Sequence, residues 1–213
     1  TFGLCLAVAV PAHAQQTLSI APGSSTPTTN LWASNSNWNF GQTFIAPSSG
    51  TTSVSAVEFQ LQQISGAGSA TYWAGVWAWD PATRAAMGVN MNTARPYAAS
   101  ISVSTPSAPS MTPVRLDLVS DTALTPGALY VMILRRWSGD TNSTFEFGGS
   151  SANSYTDGDH VYSTTLDIAD EGYTVVSEFD LSMLIDFADP IPPGPDAMNT
   201  WLGLQANSSA VRS

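Results

Sequence analysis

The stretch Glu178-Phe179-Asp180-Leu181-Ser182-Met183-Leu184-Ile185-Asp186-Phe187 decides the fold class. Phe179, Leu181, Met183, Ile185 and Phe187 fall on one side of it. Glu178, Asp180, Ser182, Leu184 and Asp186 fall on the other. A helix would scatter the two sets around its axis, whereas a strand, with its side-chain period of two, separates them. The stretch therefore reads as one half-buried strand, and at about 3.3 Å per residue it is long enough to cross a sheet.

The same period recurs upstream. Residues 54–61 place Val57, Phe59 and Leu61 opposite Glu58, Gln60 and Gln62. Phe40 and Phe44 share a face, Val114, Leu116 and Leu118 alternate with Arg115 and Asp117, and Phe145 and Phe147 flank Glu146. Residues 72–79 form an aromatic strand closed by the turn Asp80-Pro81-Ala82-Thr83. The turn Leu124-Thr125-Pro126-Gly127 launches residues 129–137, which are apolar on both faces and so read as a central strand. Ile101 and Val103 mark another strand, and 161–168 and 173–176 are weaker runs. About eight to ten such runs, divided by Gly, Pro, Asn, Asp and Ser with no amphipathic helix between them, predict an all-β domain over 38–189. The expected architecture is an antiparallel β-sandwich, jelly-roll-like first and immunoglobulin-like second.

The flanks read differently. Leu4-Cys5-Leu6-Ala7-Val8-Ala9-Val10 is a short apolar run followed by Pro11 and Ala12-His13-Ala14. Small residues at the first and third positions of that triplet make it the cleavage site of a secretory signal peptide over 1–14, with the charged n-region missing. The run is too short to span a bilayer. Residues 15–37 read as a polar leader or linker holding one strand at 17–20. Pro190-Ile191-Pro192-Pro193-Gly194-Pro195 is a stiff linker. Asp196 then caps a helix over 196–213 whose stripe Ala197, Trp201, Leu204, Ser208 and Val211 is expected to lead into a further module.

Composition narrows the function classes. The chain has 213 residues, and its six basic residues, all Arg, stand against sixteen acidic ones for a net charge of −10. Nucleic acid and anionic membranes demand basic surface, so neither is an expected partner. With Cys5 and His13 inside the signal peptide, the mature chain carries no Cys and one His, His160. This leaves no disulfide framework, no Cys-based zinc site and no Cys nucleophile. No G-x-S-x-G, Walker or dinucleotide glycine pattern stands at a strand–helix junction.

Gly41-Gln42-Thr43-Phe44-Ile45-Ala46-Pro47, Val57-Glu58-Phe59, Val76-Trp77-Ala78-Trp79-Asp80 and Leu124-Thr125-Pro126-Gly127-Ala128-Leu129-Tyr130-Val131 resemble secreted bacterial β-sandwich domains of the choice-of-anchor or PEP-CTERM type. The resemblance spans residue 39 to about residue 188 and implies a bacterial, secreted or outer-membrane, cell-surface-exposed domain. The chain lacks that family's Val-Pro-Glu-Pro sorting signal. The stretch Asn199-Thr200-Trp201-Leu202-Gly203-Leu204-Gln205-Ala206-Asn207 is similar to the segment before the barrel of autotransporter-like proteins, which implies an exported passenger. Neither resemblance brings site residues with it.

Three constellations could carry chemistry. Trp73, Trp77 and Trp79 share one face of the aromatic strand, with Gly75 between them. If that face is open, the indoles form a flat platform on which sugar rings stack; if it is the inter-sheet core, they are packing residues. Glu178, Asp180 and Asp186 form an acid face, and Glu178-Phe179-Asp180 resembles the E-x-D strand of jelly-roll glycoside hydrolases. Ser182 and Met183 stand where that family places its closing Glu, which removes the acid/base partner. Asp157-Gly158-Asp159 offers two carboxylates to a structural Ca²⁺, or is a turn rich in Asp for backbone reasons. The leading expectation is an exported non-catalytic module that binds glycans or another cell-surface component through Trp73, Trp77 and Trp79. The alternatives are a structural passenger or stalk domain and a glycoside hydrolase.

Overall fold

The computed structural model describes residues 16–21, 27–32, 39–49, 53–65, 70–87, 100–101, 111–118, 123–139, 144–164 and 172–188. The expected signal peptide, Pro-rich linker and C-terminal helix lie outside them. The described residues hold fourteen strands and no helix: β1 (Gln16–Ile20), β2 (Pro27–Trp32), β3 (Asn39–Ile45), β4 (Ser53–Ser65), β5 (Ala70–Asp80), β6 (Ala85–Met87), β7 (Ser100–Ile101), β8 (Thr112–Asp117), β9 (Leu129–Gly139), β10 (Thr144–Ser150), β11 (His160–Ser163), β12 (Thr174–Val176), β13 (Asp180–Leu181) and β14 (Met183–Ala188). The all-β expectation is met.

The strands form two antiparallel sheets packed face to face. In the first, the order is β1-β14-β4-β10-β13, with β8 on β4 and β2 on β10; in the second it is β12-β11-β3-β9-β5-β6, with β7 on β5. Apart from the pairs β5-β6 and β11-β12, neighbouring strands are non-consecutive, so the chain crosses repeatedly from one sheet to the other. Val57, Phe59 and Leu61 of β4 and Ile185 and Phe187 of β14 face Phe40 and Phe44 of β3 and Met132 and Leu134 of β9 in one inter-sheet core. Ring contacts tie the layers: Phe40 lies 5.1 Å from Phe147, and Phe44 lies 6.0 Å from Phe187. Each such ring pair adds about 1 kcal/mol to the burial itself.

Local devices keep the alternation in step with the core. Val54 and Val57 are three residues apart and should face opposite ways, yet both are buried in the inter-sheet core. The pairing shifts between Asp186 and Phe187, which leaves Ser55 as the extra residue of a β-bulge. Its hydroxyl donates to the Asp186 carbonyl at 3.1 Å, and its own carbonyl accepts from Leu118 N at 2.7 Å. Before β9, Ala128 N closes a turn onto Thr125 O at 3.1 Å with Gly127 at φ 72°. Pro126 and Gly127 supply the two backbone conformations that this turn needs. Both faces of β9 are buried, as expected of a central strand: Tyr130, Met132 and Leu134 inward, Val131 and Ile133 outward.

Two boundaries differ from the sequence reading. The strand expected at 17–20 is present as β1, but it belongs to the first sheet and not to a leader: it pairs with β14 from Gln16↔Phe187 to Ile20↔Met183, and Ile20 is fully buried. The stretch 178–187 is not one strand either. Ser177 and Glu178 form a turn, β13 pairs with β10, and after Ser182 the chain continues as β14 along β4. The apolar alternation survives this change of neighbours because it depends only on which side the core lies.

Candidate functional site

The aromatic strand β5 contradicts the platform reading. Trp77 and Trp79 are only 5% and 8% exposed. They do not lie in the inter-sheet core, because Ala74 and Val76 occupy that side of β5. They belong to a second apolar cluster on the outer side of the second sheet, with Val131, Ile133, Val161, Ala86 and Tyr173. The Tyr173 ring meets Trp79 edge-on at 5.7 Å. Register explains the grouping, since Trp77 sits opposite Val131 and Gly75 opposite Ile133. Along the described parts of β5 and β9 the second sheet is thus buried on both faces, and these two indoles are packing residues. The signal lay in residues 129–137, whose apolar character on both faces implied a covered outer face. The side chain of Trp73 lies outside what is described.

The three acids expected on one face have three different settings. Glu178 is exposed in the turn. Asp180 is fully buried and accepts three hydrogen bonds: from Gln42 Nε2 at 3.2 Å, from Ser154 Oγ at 3.3 Å and from Tyr155 N at 2.8 Å. Asp186 lies on the outer face of the first sheet. The paired carboxyls needed to flank a glycosidic bond are not brought together there.

Asp180 instead closes a seam at one end of the sandwich. The chain crosses between sheets through residues 151–159 and again through 177–182. Leu181 N donates to Gln42 Oε1 at 3.0 Å, His160 N to Phe179 O at 3.3 Å and Ser182 N to Gly148 O at 2.8 Å. Asp159 belongs to the same seam through its backbone. Its N–H donates to Thr43 Oγ1 at 2.7 Å, and its carbonyl accepts from Thr43 N at 2.9 Å. A Cβ on Gly158 would run into the Thr43 carbonyl, and one on Gly149 into the Phe179 ring and the Asp180 carbonyl. The Asp-Gly-Asp sequence thus has a backbone role in close approach. Among the described residues no group of three or more His, Cys, Asp or Glu side chains converges on a metal position. Asp167, Asp170 and Glu171 lie outside those residues.

His160, the one His of the expected mature chain, lies in this seam and is 1% exposed. Its Nδ1–H donates to the Gly41 carbonyl at 2.9 Å, while Nε2 has no hydrogen-bond partner. Phe40, Tyr162 and Phe179 surround the ring at 6.5, 6.1 and 5.6 Å. Burial pulls its pKa down to about 4, with the Gly41 contact opposing. The imidazole is neutral and enclosed, a packing group rather than an accessible base.

The side of the first sheet turned away from the core carries the accessible chemistry. Register aligns Thr17, Asp186, Ala56 and Asp117 in one row, and Ser19, Leu184, Glu58 and Arg115 in the next, with Gln60 following. Arg115 reaches diagonally over β4 to Asp186 at 2.7 Å and along β8 to Asp117 at 3.2 Å, and Thr17 Oγ1 donates to Asp186 Oδ1 at 2.6 Å. The Arg115 and Asp117 side chains remain 45% and 85% exposed. Partial burial pushes the Asp186 carboxyl up, but the Thr17 and Arg115 hydrogen bonds outweigh it and hold the group below the usual range. Asp186 in turn holds the Arg115 guanidinium above its ordinary value. Asp186 and Arg115 therefore both keep their charges at neutral pH. By sequence alone Asp186 falls in the acid face and Arg115 and Asp117 in the polar half of an alternating strand; their meeting depends on the order β1-β14-β4-β8.

No family model matches the chain, and no curated protein matches it. Among solved structures, the clostridial cysteine protease Cwp84 after propeptide cleavage is similar over 82% of this chain and 40% of its own, at 11% identity and a TM-score of 0.47. The cysteine protease and lectin-like domains of Cwp84, a surface-layer-associated protein of Clostridium difficile, are similar over 72% of this chain and 32% of their own, at 11% identity and a TM-score of 0.42. The chain spans less than half the length of either, and likeness at this level carries no inference about activity or ligand.

Proposed function

We propose that this chain is an exported, non-catalytic β-sandwich module that binds glycans at a cell surface, and that its contact face is the outer side of the first sheet. The observation that carries the reading is the cluster of Arg115, Asp117 and Thr17 on an accessible sheet face, with Asp186, itself only 7% exposed, holding Arg115 and Thr17 in place. Hydroxyl groups of a sugar both donate and accept, so a paired guanidinium and carboxylate can engage two of them at once. The second sheet offers no comparable face among its described residues, since Trp77, Trp79, Val131 and Ile133 are buried. The signal-peptide reading supports export. Among the described residues no helix is long and apolar enough to cross a membrane.

The test is incubation of the purified chain with a panel of polysaccharides, reading the bound fraction and the release of reducing ends together. Binding without release is expected. Release of reducing ends that Glu178→Gln abolishes would reinstate the hydrolase reading, and no binding to any polymer would remove the glycan reading.

A further inference from the structure

We infer that the outer face of the first sheet takes a neutral, hydroxyl-rich polysaccharide rather than a charged one, an inference that rests on the glycan-binding reading above. Glu58, Asp117 and Asp186 stand on that face against Arg115 as the one base among its described residues. The whole chain adds a net charge of −10. A uronate or sulfated polymer would bring a further negative charge with each unit and be repelled at short and long range.

A cationic polymer meets a different obstacle. The Asp186 and Asp117 carboxylates already hold Arg115 at 2.7 and 3.2 Å. Binding an ammonium there means competing with a guanidinium that stays in place. A hydroxyl group has no such conflict. It can donate to a carboxylate oxygen and accept from a guanidinium N–H without breaking the pair, and neighbouring hydroxyls on one sugar ring match neighbouring donor and acceptor. The rows supply further neutral partners in Thr17, Ser19 and Gln60, all at least partly accessible. Recognition of this kind releases no counterions and is therefore insensitive to salt.

Native affinity electrophoresis separates the possibilities, with hydroxyethylcellulose, xylan or glucomannan in the gel as neutral probes, polygalacturonate as the anionic probe and chitosan as the cationic one. Retardation is expected in at least one neutral gel and none in polygalacturonate. The neutral retardation should be unchanged between 20 and 300 mM salt, and Arg115→Ala should weaken it about tenfold. Circular dichroism of the variant shows that it remains folded. Retardation confined to polygalacturonate and lost with Arg115→Ala, or confined to chitosan and strengthened by Arg115→Ala, would overturn the neutral class while leaving the contact face standing. Neutral retardation that Arg115→Ala leaves intact would overturn the face. Absence of retardation in every gel by a folded chain would overturn the glycan reading itself.

Discussion

Acid should loosen this fold through His160. The imidazole is neutral in the folded chain because burial pulls its pKa from 6.5 to about 4. In the unfolded chain it returns to the ordinary value and takes up a proton at higher pH. Above about pH 6.5 neither state is protonated and the group costs nothing. As pH falls from 6.5 towards 4, only the unfolded state gains a proton, so stability drops. Below about 4 both states are protonated and the loss levels off. At 1.36 kcal/mol per pH unit, the gap between the two values amounts to about 3 kcal/mol. The hydrogen bonds that hold Asp186 below its ordinary range act in a lower window, because their contribution is lost only as pH falls below about 4. Urea unfolding of the wild-type chain and of His160→Gln at half-unit steps from pH 7.5 to 4 reads the effect. Glutamine keeps an N–H for the Gly41 carbonyl but does not titrate. The wild type should lose about 3 kcal/mol more than the variant over that range. Parallel pH profiles for the two proteins would mean that His160 is not the group through which acid acts.

Other perturbations have distinct signatures. Asp180→Ala strips the acceptor from Gln42, Ser154 and Tyr155 N in a buried seam and should cost about 3 kcal/mol in chemical denaturation, with Asp180→Asn recovering part of it. Gly158→Ala drives a methyl into the Thr43 carbonyl and should lower Tm by several degrees, or raise amide exchange at Thr43 and Asp159 as the contact opens. Trp79→Ala should cost about 3–5 kcal/mol, a packing loss that an exposed platform residue would not show. Arg115→Ala should cost about 1–2 kcal/mol, since the side chain is 45% exposed but its loss takes one charged donor from Asp186, whose side chain is 10% exposed.

How much of this was legible in the sequence depends on range. Alternation at Val57, Phe59 and Leu61 and at Met183, Ile185 and Phe187 is a local signal, and these side chains do face the inter-sheet core. The Pro126-Gly127 turn was equally plain, because two residues dictate it. The bulge at Ser55 was not read, although Val54 and Val57 at odd spacing carry its trace. Burial of Trp77 and Trp79 depended on what covers the outer side of the second sheet, which no period within β5 can report. The acid face failed for a related reason. The apolar half still faces the core, but between Glu178 and Ser182 the chain turns and changes neighbours, so the three acids lie beside different strands instead of sharing one open face. Arg115 and Asp186 are 71 positions apart, and their meeting follows from β8 and β14 flanking β4, which is a property of topology alone.

Hydroxyl-radical footprinting of the chain with and without the neutral polysaccharide that retards it tests the contact face most directly. Protection should fall on peptides of β1, β4 and β8 that carry Thr17, Glu58, Gln60, Arg115 and Asp117, with β5 unchanged. Protection centred on β5 or on the 151–159 crossover, with β4 and β8 as reactive as before, would contradict the account.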